Sequence, residues 1–224
     1  MAVPLPVLRD GDIAFEPADA LCPPAKRAAA RRVGITRGCK VLLRFRSDGG
    51  AGEPPPWPHD CAGMICGGCL VPEFWFRESI GDAKAHVAVG FATGAYADAL
   101  AALGEAGAVA AARTQLADMF GPAHARALAS TFEAGMFHDW AAEPFIRGAY
   151  SFPLKGCTEA DWRALAAPSG DGGNGVVAWC GEHTAWPGGG MTMHVAIDTG
   201  RRAADHVHTA LARSWRREVT PSRL

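Results

Sequence analysis

Near the C-terminus, the apolar run Val176-Val177-Ala178-Trp179-Cys180 stops at Gly181, and a Pro- and Gly-rich loop follows. A helical pattern then runs from about Met193 to Arg217. An apolar run of that length, bounded by glycine, suits a strand covered on both faces. A strand that turns into a long helix needs a core shared by sheet and helix, which sets the class as α/β, or α+β. Val195, Ala196, Ala203, Val207, Ala210 and Leu211 mark the expected inner face of the helix. Arg213, Arg216 and Arg217 fall toward its C-terminal end, where the helix dipole favours cations. Its first turn, Thr192-Met193-His194, presents backbone N–H groups without intrahelical acceptors, a setting that favours anions and electron-rich carbonyls. Taken alone, an ordinary strand-loop-helix unit accounts for the segment equally well.

The remaining chain alternates in the same way. Val3 to Phe15 reads as a short strand, a turn at Asp10-Gly11-Asp12, and a second extended piece. Pro24 opens a helix that Gly34 closes, and Lys40-Val41-Leu42-Leu43-Arg44-Phe45 is a strand. Residues 46–73 read as loop, and 73–77 and 86–91 as strands. Tyr96 to Phe120 is helical, with a break near Gly104 to Gly107 and a stop at Gly121-Pro122. Thr131 to Trp140 is extended, Asp161 to Ala166 a short helix, and Gly170 to Gly175 a turn.

Composition excludes several classes. A net charge of −1 and a pI near 6.7 give no basic footprint for nucleic acid. No apolar stretch is long enough for a membrane span, and the N-terminus lacks the pattern of a signal peptide, so an intracellular, cytoplasmic location is expected. There is no G-x-S-x-G elbow for a hydrolase nucleophile. The odd count of seven cysteines argues against a disulfide framework. Cys61, Cys66 and Cys69 have spacing that leaves open an iron–sulfur or zinc site, with Cys39, Cys157 or His59 as a further ligand. His124, His206 and His208 read as surface positions on helices.

Four stretches carry a resemblance. The last is Cys180-Gly181-Glu182-His183-Thr184, followed by Thr192-Met193-His194, Ala196, Gly200 and Ala203-Ala204. Before it stands Trp140-x-x-Glu143-Pro144-x-x-Arg147-Gly148-x-Tyr150-Ser151. The first runs from Val3-Pro4-Leu5 through Ile13, Phe15, Pro17, Lys26, Ala29 and Gly34 to Lys40-Val41-Leu42-Leu43-Arg44-Phe45. The faintest is Val89 to Gly94 with the Ala-rich helix after it. In this order they resemble the flavin-dependent amine oxidases, a family that includes monoamine oxidases, polyamine oxidases and flavin-dependent histone lysine demethylases. The Gly-Glu-His-Thr form is nearest the polyamine oxidase and demethylase side.

The resemblance implies FAD as cofactor and oxidation of an amine at its C–N bond to an imine, with dioxygen reduced to hydrogen peroxide. It implies that Lys40 holds a water against the flavin and that Tyr150 is one wall of an aromatic amine cage. Trp140, Gly181, Glu182, Thr192, Met193 and His194 are the implied flavin-contacting residues. Ala149 stands where relatives with covalent flavin carry cysteine, so the flavin is expected to be non-covalent. The implied layout is a Rossmann-like FAD domain from segments 1–38 and 158–212, a mixed-sheet substrate domain at 39–157, and a tail at 213–224. The loop before Thr192 is longer than the family pattern, and Val195 replaces a small glycine. No G-x-G-x-x-G opens the chain for the ADP half of FAD, so the chain reads as a fragment that needs an N-terminal FAD-binding half. A degenerate interaction module without catalysis is the alternative.

Overall fold

The computed structural model describes residues 1–47, 54–78, 85–170, 177–185 and 191–219, the last few of these by backbone alone. Along the chain stand α1 (Leu5–Arg9), α2 (Ala18–Leu21), α3 (Pro24–Arg32), β1 (Val33–Ile35), β2 (Gly38–Arg46), β3 (Gly63–Ile65), β4 (Glu73–Glu78) and β5 (Ala85–Thr93). There follow α4 (Gly94–Ala102), α5 (Gly104–Thr131), β6 (Phe132–Asp139), β7 (Ser151–Pro153), α6 (Glu159–Ala166) and α7 (Met193–Val219). They form two compact units, Arg37–Glu143 and Met1–Thr36 with Pro144–Leu224. Residues 144–157, assigned from the sequence to the substrate domain, lie in the unit that holds the termini.

In the unit Arg37–Glu143, a five-stranded sheet has the order β3-β4-β5-β2-β6. Its described pairings are all antiparallel, where a mixed sheet was expected for this domain. β2 is central because its alternation is strict: Cys39, Val41, Leu43 and Phe45 are buried, while Lys40, Arg44 and Arg46 face outward. Ala108, Ala112 and Leu116 of α5 recur at helical spacing, are fully buried, and belong to the same core. Close approach of α5 to β6 requires Gly135, where a Cβ would stand 2.4 Å from Val109 Cγ1. The first helical run stops at Gly121-Pro122, as that pair predicts. Gly121 takes φ 76°, a kink only glycine adopts easily, and helix resumes to Thr131. β3 formed within the expected loop, paired with β4.

In the other unit, Val3 to Phe15 is not a strand. Leu5, Pro6, Val7 and Leu8 are all buried in α1, so burial has no period of two, and a proline in the first turn suits a helix start. Leu5 packs with Ala29, Ala30 and Val33 and with Trp162 and Leu165 of α6. Thr158 and Asp161 form a reciprocal capping box at the start of α6. Gly34 lies within β1, paired antiparallel with β7, rather than closing α3; a Cβ there would meet the Phe152 ring at 2.5 Å.

The expected strand 176–180 is reduced to one bridge, Ser169 with Val177, while Val176 and the expected turn at 171–175 lie outside the described residues. Ala178 and Trp179 are nonetheless buried. On α7, Val195 and Ala203 are buried as expected, but Val207 and Leu211 are 40% and 63% exposed. They line an open groove of about 400 Å³ with Met1, Ala178 and His208, which contains none of the candidate site residues.

Candidate active site

The C-terminal candidates centre on the turn after Trp179. Gly181 has φ 122°, and a Cβ there would stand 2.8 Å from the His183 ring. Glycine therefore meets both the backbone and the steric demand. Glu182–Thr184 forms a single 3₁₀ turn. Gly181 N–H donates to Thr199 Oγ (2.9 Å), and Thr184 Oγ donates to Gly181 O (2.8 Å). Arg202 of α7 donates to Thr184 Oγ (2.8 Å), Thr184 O (3.3 Å) and Trp179 O (3.2 Å). The turn is thus held onto α7 by Thr199 and Arg202; the sequence marked Arg202 only as a cation suited to the helix dipole and assigned neither residue to the site.

Glu182 joins this turn to the segment that carries Tyr150. Its Oε1 accepts from Ser151 N–H (3.0 Å) and its Oε2 from Ser151 Oγ (2.8 Å). Burial pushes the Glu182 carboxyl above its ordinary pKa, and the Ser151 bonds oppose that shift. Tyr150 is half-buried and pinned on its backbone: Thr36 N–H donates to Tyr150 O (3.1 Å) and Ala149 N–H to Thr36 O (2.8 Å). At Gly148, φ is 150° and a Cβ would fall 2.1 Å from Ile35 Cγ2. Arg147, at φ 58°, donates to Pro144 O (2.8 Å) and pairs with Asp10 (3.2 Å) and Asp12. The Arg-Gly-x-Tyr-Ser string is therefore a backbone device that sets where Tyr150 sits.

His183 is buried, and desolvation with Lys26 nearby lowers its pKa to about 4, so it is neutral at ordinary pH. Lys26 of α3 donates to Ala164 O (2.7 Å), Leu165 O (2.7 Å) and Ala167 O (2.9 Å) at the end of α6. It also lies 4.6 Å from the Trp179 ring centroid. At the start of α7, Thr192, Met193 and His194 are exposed, and Thr192 Oγ lies 3.1 Å from His194 Nε2.

The other two candidates lie in the unit Arg37–Glu143. Lys40 is exposed on β2, opposite Phe91 on β5 and His138 on β6. Trp140, just beyond β6, donates its backbone N–H to Gly38 O (3.1 Å). The His138 and Trp140 rings meet edge-on at 4.1 Å, and His138 Nε2 stands 3.5 Å from Glu143 Oε1. Lys40 and Trp140 thus flank His138 on one sheet face. Burial opposes the charge on neighbouring Asp139, but Arg37 and the Ala141 N–H hold its carboxyl below the usual range.

The cysteine reading is corrected. Cys66 and Cys69 are disulfide-bonded, and no group of three or more metal-ligating side chains exists among the described residues. Of the three histidines read as surface positions, His208 is exposed, while His124 and His206 are half-buried, with His124 Nδ1 3.1 Å from Pro56 O.

The sequence pattern of the flavin containing amine oxidoreductases matches residues 1–208. This chain belongs to that family. It is 27% identical over 229 aligned positions to the human peroxisomal N(1)-acetyl-spermine/spermidine oxidase, covering 92% of this chain and 42% of that protein. Its fold resembles cyclohexylamine oxidase from Brevibacterium oxydans, with a TM-score of 0.74 at 19% identity, covering 95% of this chain and 42% of that one. Putrescine oxidase bound to putrescine gives a TM-score of 0.70 at 20% identity, covering 93% and 42%. The chain therefore spans less than half the length of these relatives.

Family membership implies FAD, and the residues present fit part of it. The first turn of α7 is exposed and offers N–H donors to an electron-rich ring edge. Glu182 uses one acceptor site per oxygen on Ser151, and a carboxylate has about four such sites. No described helix is long and apolar enough to cross a membrane.

Proposed function

We propose that this chain carries part of a site that oxidises an amine at its C–N bond to an imine, with non-covalent FAD as the acceptor. The observation that carries the reading is the double hydrogen bond from Ser151 to Glu182. It makes the Gly181 turn, assigned to flavin, and the Tyr150 segment, assigned to the amine, one hydrogen-bonded body.

When bound, FAD supplies the two-electron acceptor, and dioxygen takes up those electrons to give hydrogen peroxide. The protein's part is placement and electrostatics. The Tyr150 ring walls the amine site, attracts the substrate ammonium through its π-face and excludes water. The first turn of α7 and Glu182 hold the flavin, the former by supporting negative charge on the ring. Lys40 presents an ammonium that binds the water used in reoxidation, and Trp140 packs beside the ring. Segments 1–38 and 158–212 are assigned to flavin and most of 39–157 to substrate, with 144–157 lying in the same unit as the flavin segments. An N-terminal FAD-binding half is the proposed partner for the ADP portion.

The test is amine-dependent peroxide release by the chain with FAD, across monoamines, diamines and acetylated polyamines. Peroxide that needs both FAD and one class of amine, and that is lost in Tyr150→Ala, is the expected result. Flavin that binds but yields no peroxide with any amine would favour the degenerate interaction module.

A further inference from the structure

The turn between β3 and β4 holds Cys66-Gly67-Gly68-Cys69, and neither amine oxidation nor the flavin site uses it. Cys66 and Cys69 are joined as a disulfide with three residues of sequence separation. A bond that closes so short a segment removes little freedom from the unfolded chain, so it is a poor stabiliser. The loop also has other anchors. Cys66 N–H donates to Pro72 O at 2.8 Å. Gln115 of α5 clamps buried Val71 from both sides, its Oε1 accepting from Val71 N–H (2.9 Å) and its Nε2 donating to Val71 O (2.8 Å). Opening the disulfide leaves these bonds in place.

The sulfur-bearing turn is open. Gly67 and Gly68 are exposed, and a Cβ at either would have no heavy atom within 4 Å. Gly68 takes φ 79°, which lets the two cysteines return toward each other. Cys22 and Cys39, by contrast, are buried. Paired sulfurs at C-x-x-C spacing, on an open turn that does not depend on their bond, have the form of an exchange site rather than a structural staple.

We propose that Cys66 and Cys69 form a reversible dithiol–disulfide site, reduced by small thiols of the glutathione class and oxidised by hydrogen peroxide. That the protein itself supplies the peroxide rests on the amine oxidation proposed above. In oxidation, one thiolate attacks the peroxide O–O bond and becomes a sulfenic acid, releasing one water after proton uptake. The second thiol then displaces the sulfenic oxygen as a second water and forms the S–S bond, so two electrons pass from the sulfurs to peroxide. In reduction, one glutathione thiolate opens the disulfide to a mixed disulfide, and a second resolves it. Glutathione disulfide leaves, and both cysteines regain protons.

The test uses the whole folded chain in buffers of graded glutathione to glutathione disulfide ratio, quenched by acid, alkylated and mapped by peptide mass. The expected result is that Cys66 and Cys69 gain two alkyl groups together in one transition without denaturant. One equivalent of added peroxide, after the thiol is removed, then restores the pair. Cys66→Ser should leave Cys69 as a single alkylatable thiol or glutathione adduct. A pair that resists reduction until the chain is unfolded, dithiols that peroxide leaves unpaired, or stoichiometric zinc on the reduced chain would each overturn the proposal. Peroxide is added rather than generated, so failure of amine turnover does not touch this result.

Discussion

Replacing Lys26 with Met keeps the aliphatic stem and removes a head group that satisfies three carbonyls at the end of α6. Net of the water they replace, such bonds are worth roughly 1 kcal/mol each, about 3 kcal/mol for the three. Burial opposes them: Lys26 is 2% exposed, and desolvation, with Arg202 adding repulsion, pushes its pKa from 10.5 to about 8. That shift corresponds to about 3 kcal/mol favouring the neutral amine in the folded chain, and the three bonds set an expected loss of about 3 kcal/mol in Lys26→Met at pH 7. The pH dependence has a definite sign. Between pH 8 and 10.5 the unfolded chain still holds the lysine proton while the folded chain has released it. Wild-type stability therefore rises with pH across that window relative to Lys26→Met, by at most about 3 kcal/mol. Urea unfolding of both proteins at pH 7 and pH 10 reads both quantities. A variant as stable as wild type at pH 7, or a gap that does not widen with pH, would refute the account of Lys26 as the clasp between α3, α6 and Trp179.

His183 acts with the same sign in a lower window: it stays neutral when folded down to about pH 4 but titrates near 6.5 when unfolded, so stability is lost as pH falls between those values. Acid melts should show this slope, up to about 3 kcal/mol, and His183→Leu should lack it. Gly148→Ala forces a Cβ to 2.1 Å from Ile35 at φ 150° and should destabilise the unit by more than about 2 kcal/mol, read by thermal melting. Lys40→Met removes an exposed side chain and should leave the melting temperature unchanged, while slowing reoxidation of reduced flavin by dioxygen in the reconstituted enzyme. Unaltered stopped-flow reoxidation would remove that assignment.

The sequence shows some of this fold directly and hides the rest for identifiable reasons. Strand β2 is legible because Cys39, Val41, Leu43 and Phe45 alternate with polar side chains. Helix α7 is legible because a glycine-rich loop precedes a long, proline-free periodic stretch. Helix α1 is not, because Pro4 and Pro6 between apolar residues imitate a period of two. The stop at Gly121-Pro122 is legible, but the second helical run to Thr131 is not, since a proline both ends one helix and opens the next. Tyr150 and Glu182 were visible as members of motifs, but the bond between their segments spans 31 residues and needs only a serine beside the tyrosine. Lys26 was visible as a match and opaque as a function, because its partners are backbone carbonyls that any residue supplies.

The central claim is that these residues form the isoalloxazine end of a flavin site. Titrating the purified chain with FAD, FMN and riboflavin, followed by visible absorbance and quenching of flavin fluorescence, tests it most directly. The account predicts saturable binding of one flavin per chain, with the three ligands within about tenfold of one another because the assigned contacts reach only the ring and its ribityl chain. It predicts binding at least about tenfold weaker in Glu182→Gln, where the Ser151 link loses a charged acceptor. A folded chain that leaves all three spectra unchanged would contradict it.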